Sequence, residues 1–346
     1  MEIRVAGRSK HRKRSGANRS ISGARTRTAL IRMPHDLIAE QPAQRLAILS
    51  CLQSAENALV AGAKVRLDFS NTRRAFPGGI LLLAGVCHSL CSRFPGRLIA
   101  TVRTGTQIER SLNVVGLAKQ LRLPACQPPE SDALNENPWD FISGTNADGA
   151  LVDGLLSKYR SHGYEGPDSG LYDVVTEALT NVRQHAYKDS HIEPALHKWW
   201  MLAKQEPHAD NSGGDLYIAI YDIGVGIQAS LREKLRTGEQ LLELGDEIMQ
   251  KLRLSGSRRV LDRLLLSRAV EHRRSRTGAT FRGYGLLEMR DYVLKTKNGR
   301  LYIVSGNSQH STLASTQRSS CISCDSPLLG TLILWSIPLT KQEQKR

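Results

Sequence analysis

The feature that most constrains this chain is an ordered series of polar and glycine positions spread over residues 174–331. In "VVTEALTNVRQHAY" the apolar residues Val174, Val175, Ala178, Leu179 and Val182 recur at helical spacing and mark a face turned to a core. Glu177 and Asn181 are four residues apart, so their side chains meet one turn from each other, and His185 follows one turn further on. Read alone, the three polar residues also fit a solvated helix face. Downstream, "KWWMLAK" and "LYIAIYDI" read as two strands joined by a hairpin-like connection. The second runs into Asp222-x-Gly224-x-Gly226. "FRGYGLLEMRDYV" then opens a helix at Gly283-x-Gly285-Leu286, and "GRLYIVSG" and "GTLILWSIPL" read as two more strands, the last carrying Thr331. No Gly-x4-Gly-Lys-[Ser/Thr] stretch occurs, which excludes a P-loop.

The 346 residues suffice for two domains and a sizeable core. No uncharged apolar run approaches the roughly 18 residues of a membrane span, so no span is expected. The net charge of +15 is unevenly placed: residues 1–32 hold ten Lys/Arg against one acid, leaving +6 for the other 314 residues. This Ser/Gly-rich leader cannot bury apolar surface, and residues 1–30 are expected to form a basic disordered tail. Such a tail is suited to non-specific contact with nucleic acid or anionic lipid, or simply to solubility. Six scattered cysteines fit a reducing cytoplasm better than a disulfide framework.

Along the chain, residues 35–62 read as one or two helices, "KVRLDFS" as a strand and "PGGILLLAGVCHSLCSRF" as a helix begun by Pro77. "GRLIATVR" and "TQIERSLNVVGLAKQL" repeat strand and helix, giving a small α/β layer. Over residues 31–125, "VRLDFSNTRRAFPGGILLLAGV", "GRLIATV" and "IERSLNVVGL" resemble the STAS domain of anti-anti-sigma factors, which implies a protein-interaction module. Those factors carry a phosphorylated Ser at the strand-to-helix turn. Here the turn is "AFPGGI", without a hydroxyl between Ala75 and Ile80, so the phospho-switch is expected to be missing. Residues 126–150, rich in Pro, Asn, Asp and Ser, read as a linker to a second domain over 151–346.

Within that second domain, the order of helix with Glu-x3-Asn, strand into Asp-x-Gly-x-Gly, long variable segment, Gly-x-Gly-Leu and terminal Gly-Thr strand resembles the Bergerat ATP-binding fold. That is the GHKL superfamily, or histidine kinase-like ATPases, and "EALTNVRQHAY" with "DIGVGI" looks most like its anti-sigma serine kinases. The resemblance implies an α/β (α+β) fold, a two-layer sandwich with a mixed sheet, preceded by the smaller STAS-like unit. It also implies ATP and Mg2+ as ligands. Asn181 would coordinate the metal, and Glu177 would polarise the attacking water or hydroxyl, or hold the metal through water. Asp222 would accept the adenine amino group, supported by Thr331, where Gly224 and Gly226 let the backbone pass close to the base. Gly283, Gly285 and Leu286 would offer a helix N-terminus to the phosphates. Arg282 is either a phosphate-facing cation or a solvated loop residue, and His185 either orients the phosphates or caps the helix. Residues 227–282, with the amphipathic stretches "LLELGDEIMQKLRL" and "RRVLDRLLLSRAV" and the basic "EHRRSRTGATFRG", correspond to the lid of relatives.

The expected activity is Mg2+-dependent ATP hydrolysis or phosphotransfer to a protein partner, a STAS or sigma-like regulator among the options, with a dimer open. The alternatives are a non-catalytic ATP-gated interaction switch and a nucleic-acid-associated GHKL ATPase. Two motifs point elsewhere without support. Cys321 and Cys324 form a CxxC with no second pair at zinc spacing. His35-Asp36 suggests a histidine phosphoacceptor, but Pro42 is expected to interrupt the long helix such an acceptor needs.

Overall fold

The computed structural model describes residues 27–124, 139–160, 169–188, 192–208, 213–236, 257–271 and 285–340. Residues 1–26 of the expected tail, the stretch "LLELGDEIMQKLRL" and most of "EHRRSRTGATFRG" lie outside the described residues, whereas residues 28–30, expected in the tail, belong to a strand.

The N-terminal unit starts with β1 (Thr28–Arg32) and a short β2 (Asp36–Leu37). The extended His35-Asp36 segment corrects the helical reading of residues 35–41. Helix α1 (Pro42–Val60) begins at Pro42, which opens the helix rather than breaking one, because an N1 residue has no use for its N–H. Then come β3 (Lys64–Asp68), β4 (Arg74–Ala75), α2 (Pro77–Arg93), β5 (Leu98–Thr101), α3 (Gln107–Val114) and α4 (Leu117–Gln120). Strands β1, β3 and β5 form a parallel sheet in the order β1-β3-β5. Strands β2 and β4 pair beside it, clamped by Arg74, whose Nε and Nη2 donate to the two Asp36 carboxylate oxygens at 2.8 and 2.7 Å.

The second unit is built on β6 (Asp140–Gly144), β7 (Trp199–Pro207), β8 (Gly213–Asp222), β9 (Arg300–Leu313) and β10 (Arg318–Thr340) in the order β6-β7-β8-β10-β9. Every pairing in this five-stranded sheet is antiparallel. The α/β mixture of parallel and antiparallel pairing is therefore between the two sheets and not within one. Strand β6 also corrects the linker: residues 140–144 pair with β7, and the following helix opens at Gly149, so the second unit begins before residue 151. One face of the sheet is covered by α5 (Gly149–Arg160), α6 (Ser169–Asn181), α8 (Arg258–Glu271) and α9 (Gly285–Lys295), while α7 (Ile227–Arg236) follows β8.

The other face is covered as well. Along β7, Trp199, Met201 and Ala203 enter the core beneath α5 and α6, whereas Trp200 and Leu202 enter a core shared with α1 and α2. That shared core runs unbroken from Val65 and Leu67 of β3, through Ile80–Ala84 of α2, to Tyr221 of β8 and Leu332 and Leu334 of β10. The fold is thus the α/β (α+β) sandwich expected, and the smaller unit shares its core: the order of layers is parallel sheet, α1–α2, antiparallel sheet, helices. Glycines make the close approach of α2 possible. A Cβ at Gly85 would lie 2.5 Å from the Tyr221 ring, and one at Gly78 2.6 Å from Leu334 Cδ2. His88 of the same helix stacks on Trp200, with ring centroids 6.0 Å apart. Further along, the buried Arg45 of α1 donates to Gln309 Oε1 of β9 at 2.7 Å and to Cys324 Sγ of β10 at 3.0 Å, so its guanidinium is satisfied across the junction.

Because α2 and β8 share one core, Gly85→Val is expected to destabilise the whole chain by about 1–3 kcal/mol through overpacking. Urea unfolding followed at both the tryptophans of β7 and the backbone should move as one shifted transition. A loss confined to part of the chain, or no loss, would mean that the units do not share a core.

Candidate functional site

Helix α6 is placed by its apolar stripe: Leu171, Val174, Val175, Ala178 and Leu179 are buried in the helical-side core. This leaves Glu177 half-buried and Asn181 at the helix end. There the chain passes into a π-helical turn, Val182–Ala186, which carries the half-buried His185 and re-aims the backbone toward the end of β8. Single π turns of this kind are frequent at functional sites. Ala186 O accepts the Val225 N–H at 2.7 Å, and a Cβ on Gly224 would lie 2.2 Å from that same oxygen. The end of α6 and the Asp-x-Gly-x-Gly loop are thus stitched together, and only glycine fits at 224. Tyr187 closes the seam: its Oη donates to Lys198 O, accepts from Ile223 N at 3.3 Å, and its ring stacks on His197 at 4.6 Å.

Asp222 is the last residue of β8 and only 3 % exposed. Its Oδ1 accepts from Gly224 N at 2.8 Å. Burial pushes its carboxyl up to about 7, against the opposing pull of backbone hydrogen bonds from Gly224 and Thr331. Thr331 faces Asp222 across the β8–β10 ladder, and Ser305 faces Thr331 across the β10–β9 ladder, so three polar side chains lie in a row on adjacent strands. Ser305 had no place in the sequence reading. Its Oγ accepts from Ile227 N at 2.9 Å, donates to Gly330 O at 3.2 Å and lies 3.4 Å from Thr331 Oγ1. Gly226 (φ +81°) and Gly330 (φ +79°) occupy the left-handed region beside it. A Cβ on Gly330 would lie 1.9 Å from Asp222 O.

On the other side of α6, Gly285 begins α9 against Glu177: a Cβ there would be 2.3 Å from Glu177 Cγ. Burial raises the Glu177 carboxyl above its ordinary range, and the nearby Glu288 adds to the effect. Leu286 packs against the helical-side core and anchors the start of α9. Asn181 Nδ2 is buried with no hydrogen-bond partner among the described residues. The structure therefore joins Glu177 to Gly285, and joins Asp222, Gly224, Gly226 and Thr331 to the end of α6. Arg282 and Gly283 lie outside the described residues.

The described part of residues 227–282 is not a free lid. Helix α8 buries Leu265, Leu266 and Val270, an Arg232–Asp262 ion pair ties it to α7, and Gln228 Nε2 of α7 donates to Ser305 O at 2.6 Å. The CxxC residues serve packing, with Cys324 under Arg45 and Cys321 Sγ 3.5 Å from Arg263 O. Among the described residues, no three His, Cys, Asp or Glu cluster as a metal site. Compared with protein-family models, curated proteins and solved structures, the chain matches none.

The raised Asp222 carboxyl has a consequence for stability. The folded state keeps its proton up to about pH 7, whereas an unfolded Asp releases it near pH 4. Its contribution is full below about pH 4, is lost as pH rises toward about 7, and is level above that. Melting curves of the wild type and Asp222→Asn, compared from pH 4 to 8, should show the wild type losing ground to the variant across that window. A constant difference would show that Asp222 is ionised throughout.

Proposed function

We propose that the chain binds ATP with Mg2+ in the manner of the GHKL superfamily and hydrolyses it or transfers its γ-phosphoryl group to a protein. The observation that carries this reading is Asp222: a buried carboxylate at a strand end, backed by Thr331, beside a loop whose Gly224 and Gly226 let its backbone pack closely against Ala186 and Ser305. A carboxylate oxygen at that place is an acceptor for the adenine 6-amino group, a hydrogen bond guanine cannot offer in the same position. The residues fit the implied metal through Asn181, whose amide nitrogen is buried with no partner among the described residues and whose oxygen is a suitable hard ligand. When bound, Mg2+ supplies charge neutralisation on the phosphate oxygens. The first-turn N–H groups of α9 are suited to hold the phosphates, and the tight Gly285–Glu177 contact sets that helix start beside the acid. Glu177, its carboxyl raised above the ordinary range by burial, is suited to take a proton from the attacking water or hydroxyl.

The described cysteines are all free, in line with the reducing cytoplasm we propose as the location. No helix among the described residues is long and apolar enough to cross a membrane. A STAS-like role for residues 31–125 and a STAS or sigma-like protein as phosphoacceptor belong to the same proposal. The ATP-gated switch is the second reading. It is favoured by the seat of α2 behind Tyr221, next to Asp222, through which nucleotide binding and the N-terminal unit would feel each other.

Titration calorimetry with Mg-ATP tests the site. Asp222→Asn and Asn181→Ala should each weaken binding, the first because a buried acceptor is replaced by a group that also donates. Equal affinity in all three proteins would remove the assignment. For turnover, Glu177→Gln should lower phosphate release by about two to four orders of magnitude with ATP affinity little changed. Joint loss of Mg2+ dependence and ATP affinity would instead make Glu177 a metal-holding residue.

A further inference from the structure

The fold divides the charge of this chain sharply. Residues 28–124, which form the outer sheet and α1–α4, hold twelve Lys/Arg against five Asp/Glu. Residues 1–27 hold nine against one, and residues 125–346 hold 27 of each sign. The entire net charge of +15 therefore belongs to the first 124 residues, while the half that carries the candidate nucleotide site is neutral.

Within the N-terminal unit the charge is also directed. Val65, Leu67 and Leu98 of the parallel sheet face the shared core. The alternate residues face away: Thr28, Leu30, Arg32, Lys64 and Arg66 are exposed, and Asp68, Ile99 and Thr101 are half-buried. Register places them in rows: Thr28 beside Lys64, then Leu30, Arg66 and Ile99, then Arg32, Asp68 and Thr101. Arg32, Lys64 and Arg66 are exposed, as is Arg103 just beyond β5, and Leu30 is 55 % exposed. Arg66 Nη1 donates to Thr101 Oγ1 at 3.3 Å, which holds it across the sheet. Among the described residues the one acid on this face is Asp68. Its carboxyl is held below the ordinary range by the Ser70 hydroxyl and amide, with Arg32 and Arg103 adding to the effect.

We propose that this open sheet face is a nucleic-acid-binding surface, gripping the phosphate backbone of a double helix through Arg32, Lys64, Arg66 and Arg103. Three observations choose this partner. The cations are mostly arginines, whose planar guanidinium pairs bidentately with phosphate. No Phe, Trp or Tyr precedes Phe69, so neither the leader nor β1 carries the aromatic residues that anchor a segment in a lipid interface. The face itself carries no aromatic ring, so it offers no platform for stacking the bases of a single strand. What remains is sequence-independent contact with a backbone, and the Arg-rich leader that enters β1 supplies further charge of the same sign. The surface is separate from the candidate nucleotide site, and its test does not depend on that site.

Fluorescence anisotropy of the full chain with a labelled mixed-sequence duplex about two helical turns long tests the proposal. Wild type should bind in about the micromolar range at moderate salt, with log K falling linearly with log salt. Arg32→Ala, Arg66→Ala and Arg103→Ala should each reduce the salt slope by about one, and the triple variant should bind at least about tenfold more weakly. The far-UV spectrum checks folding of each, and the single variants carry the answer if the triple variant does not fold. Three results would each overturn the proposal: unchanged affinity and slope in the variants, tighter binding to phosphatidylserine vesicles than to duplex at equal ionic strength, or equal displacement of duplex by polyglutamate.

Discussion

The structure depends on one constraint: the central strands of the antiparallel sheet are buried on both faces. Antiparallel sheets commonly keep one face in water and alternate apolar with polar residues. Here Trp199 and Trp200 are adjacent in sequence, point to opposite sides and are both buried. Two helical layers must therefore meet the sheet, and α2 meets it closely because Gly78 and Gly85 carry no Cβ. The N-terminal unit is held by this shared core and by the buried Arg45, so it is a layer of the protein as much as a module attached to it.

The same burial makes the end of β8 chemically unusual. With helices on one side and α2 behind Tyr221, the carboxylate that ends the strand is left in a dry place with two backbone N–H groups as compensation. A carboxyl in that position strongly favours its proton unless a ligand brings donors to it. The loop that follows is tied to Ala186 and Ser305, and its glycines lie where backbone or hydroxyl atoms would strike a side chain. The site is thus preformed by hydrogen bonds between elements that are distant in sequence.

Much of this was legible in the sequence because it is local. The stripe of α6, the strand into Asp222, the helix start at Gly285 and the terminal strand with Thr331 follow from periodicity and glycine placement. Strand β6 was hidden because "DFISG" is short and lies in a polar, Pro-rich stretch that reads as linker. The two-sided burial had a signal that went unused: "WWMLA" and "LYIAIY" are continuous apolar runs, without the alternation of a half-solvated strand. Ser305 was missed because its importance is set by cross-strand register, which no single segment reveals. The open outer face was missed for the same reason, since its cations come from β1, β3 and the residue run after β5.

The most direct measurement is the crystal structure of the chain with Mg2+ and a non-hydrolysable ATP analogue. The account predicts the adenine amino group hydrogen-bonded to the Asp222 carboxylate, the metal on Asn181 and the phosphates at the start of α9. A nucleotide seated elsewhere, or a site still empty at saturating analogue, would contradict it.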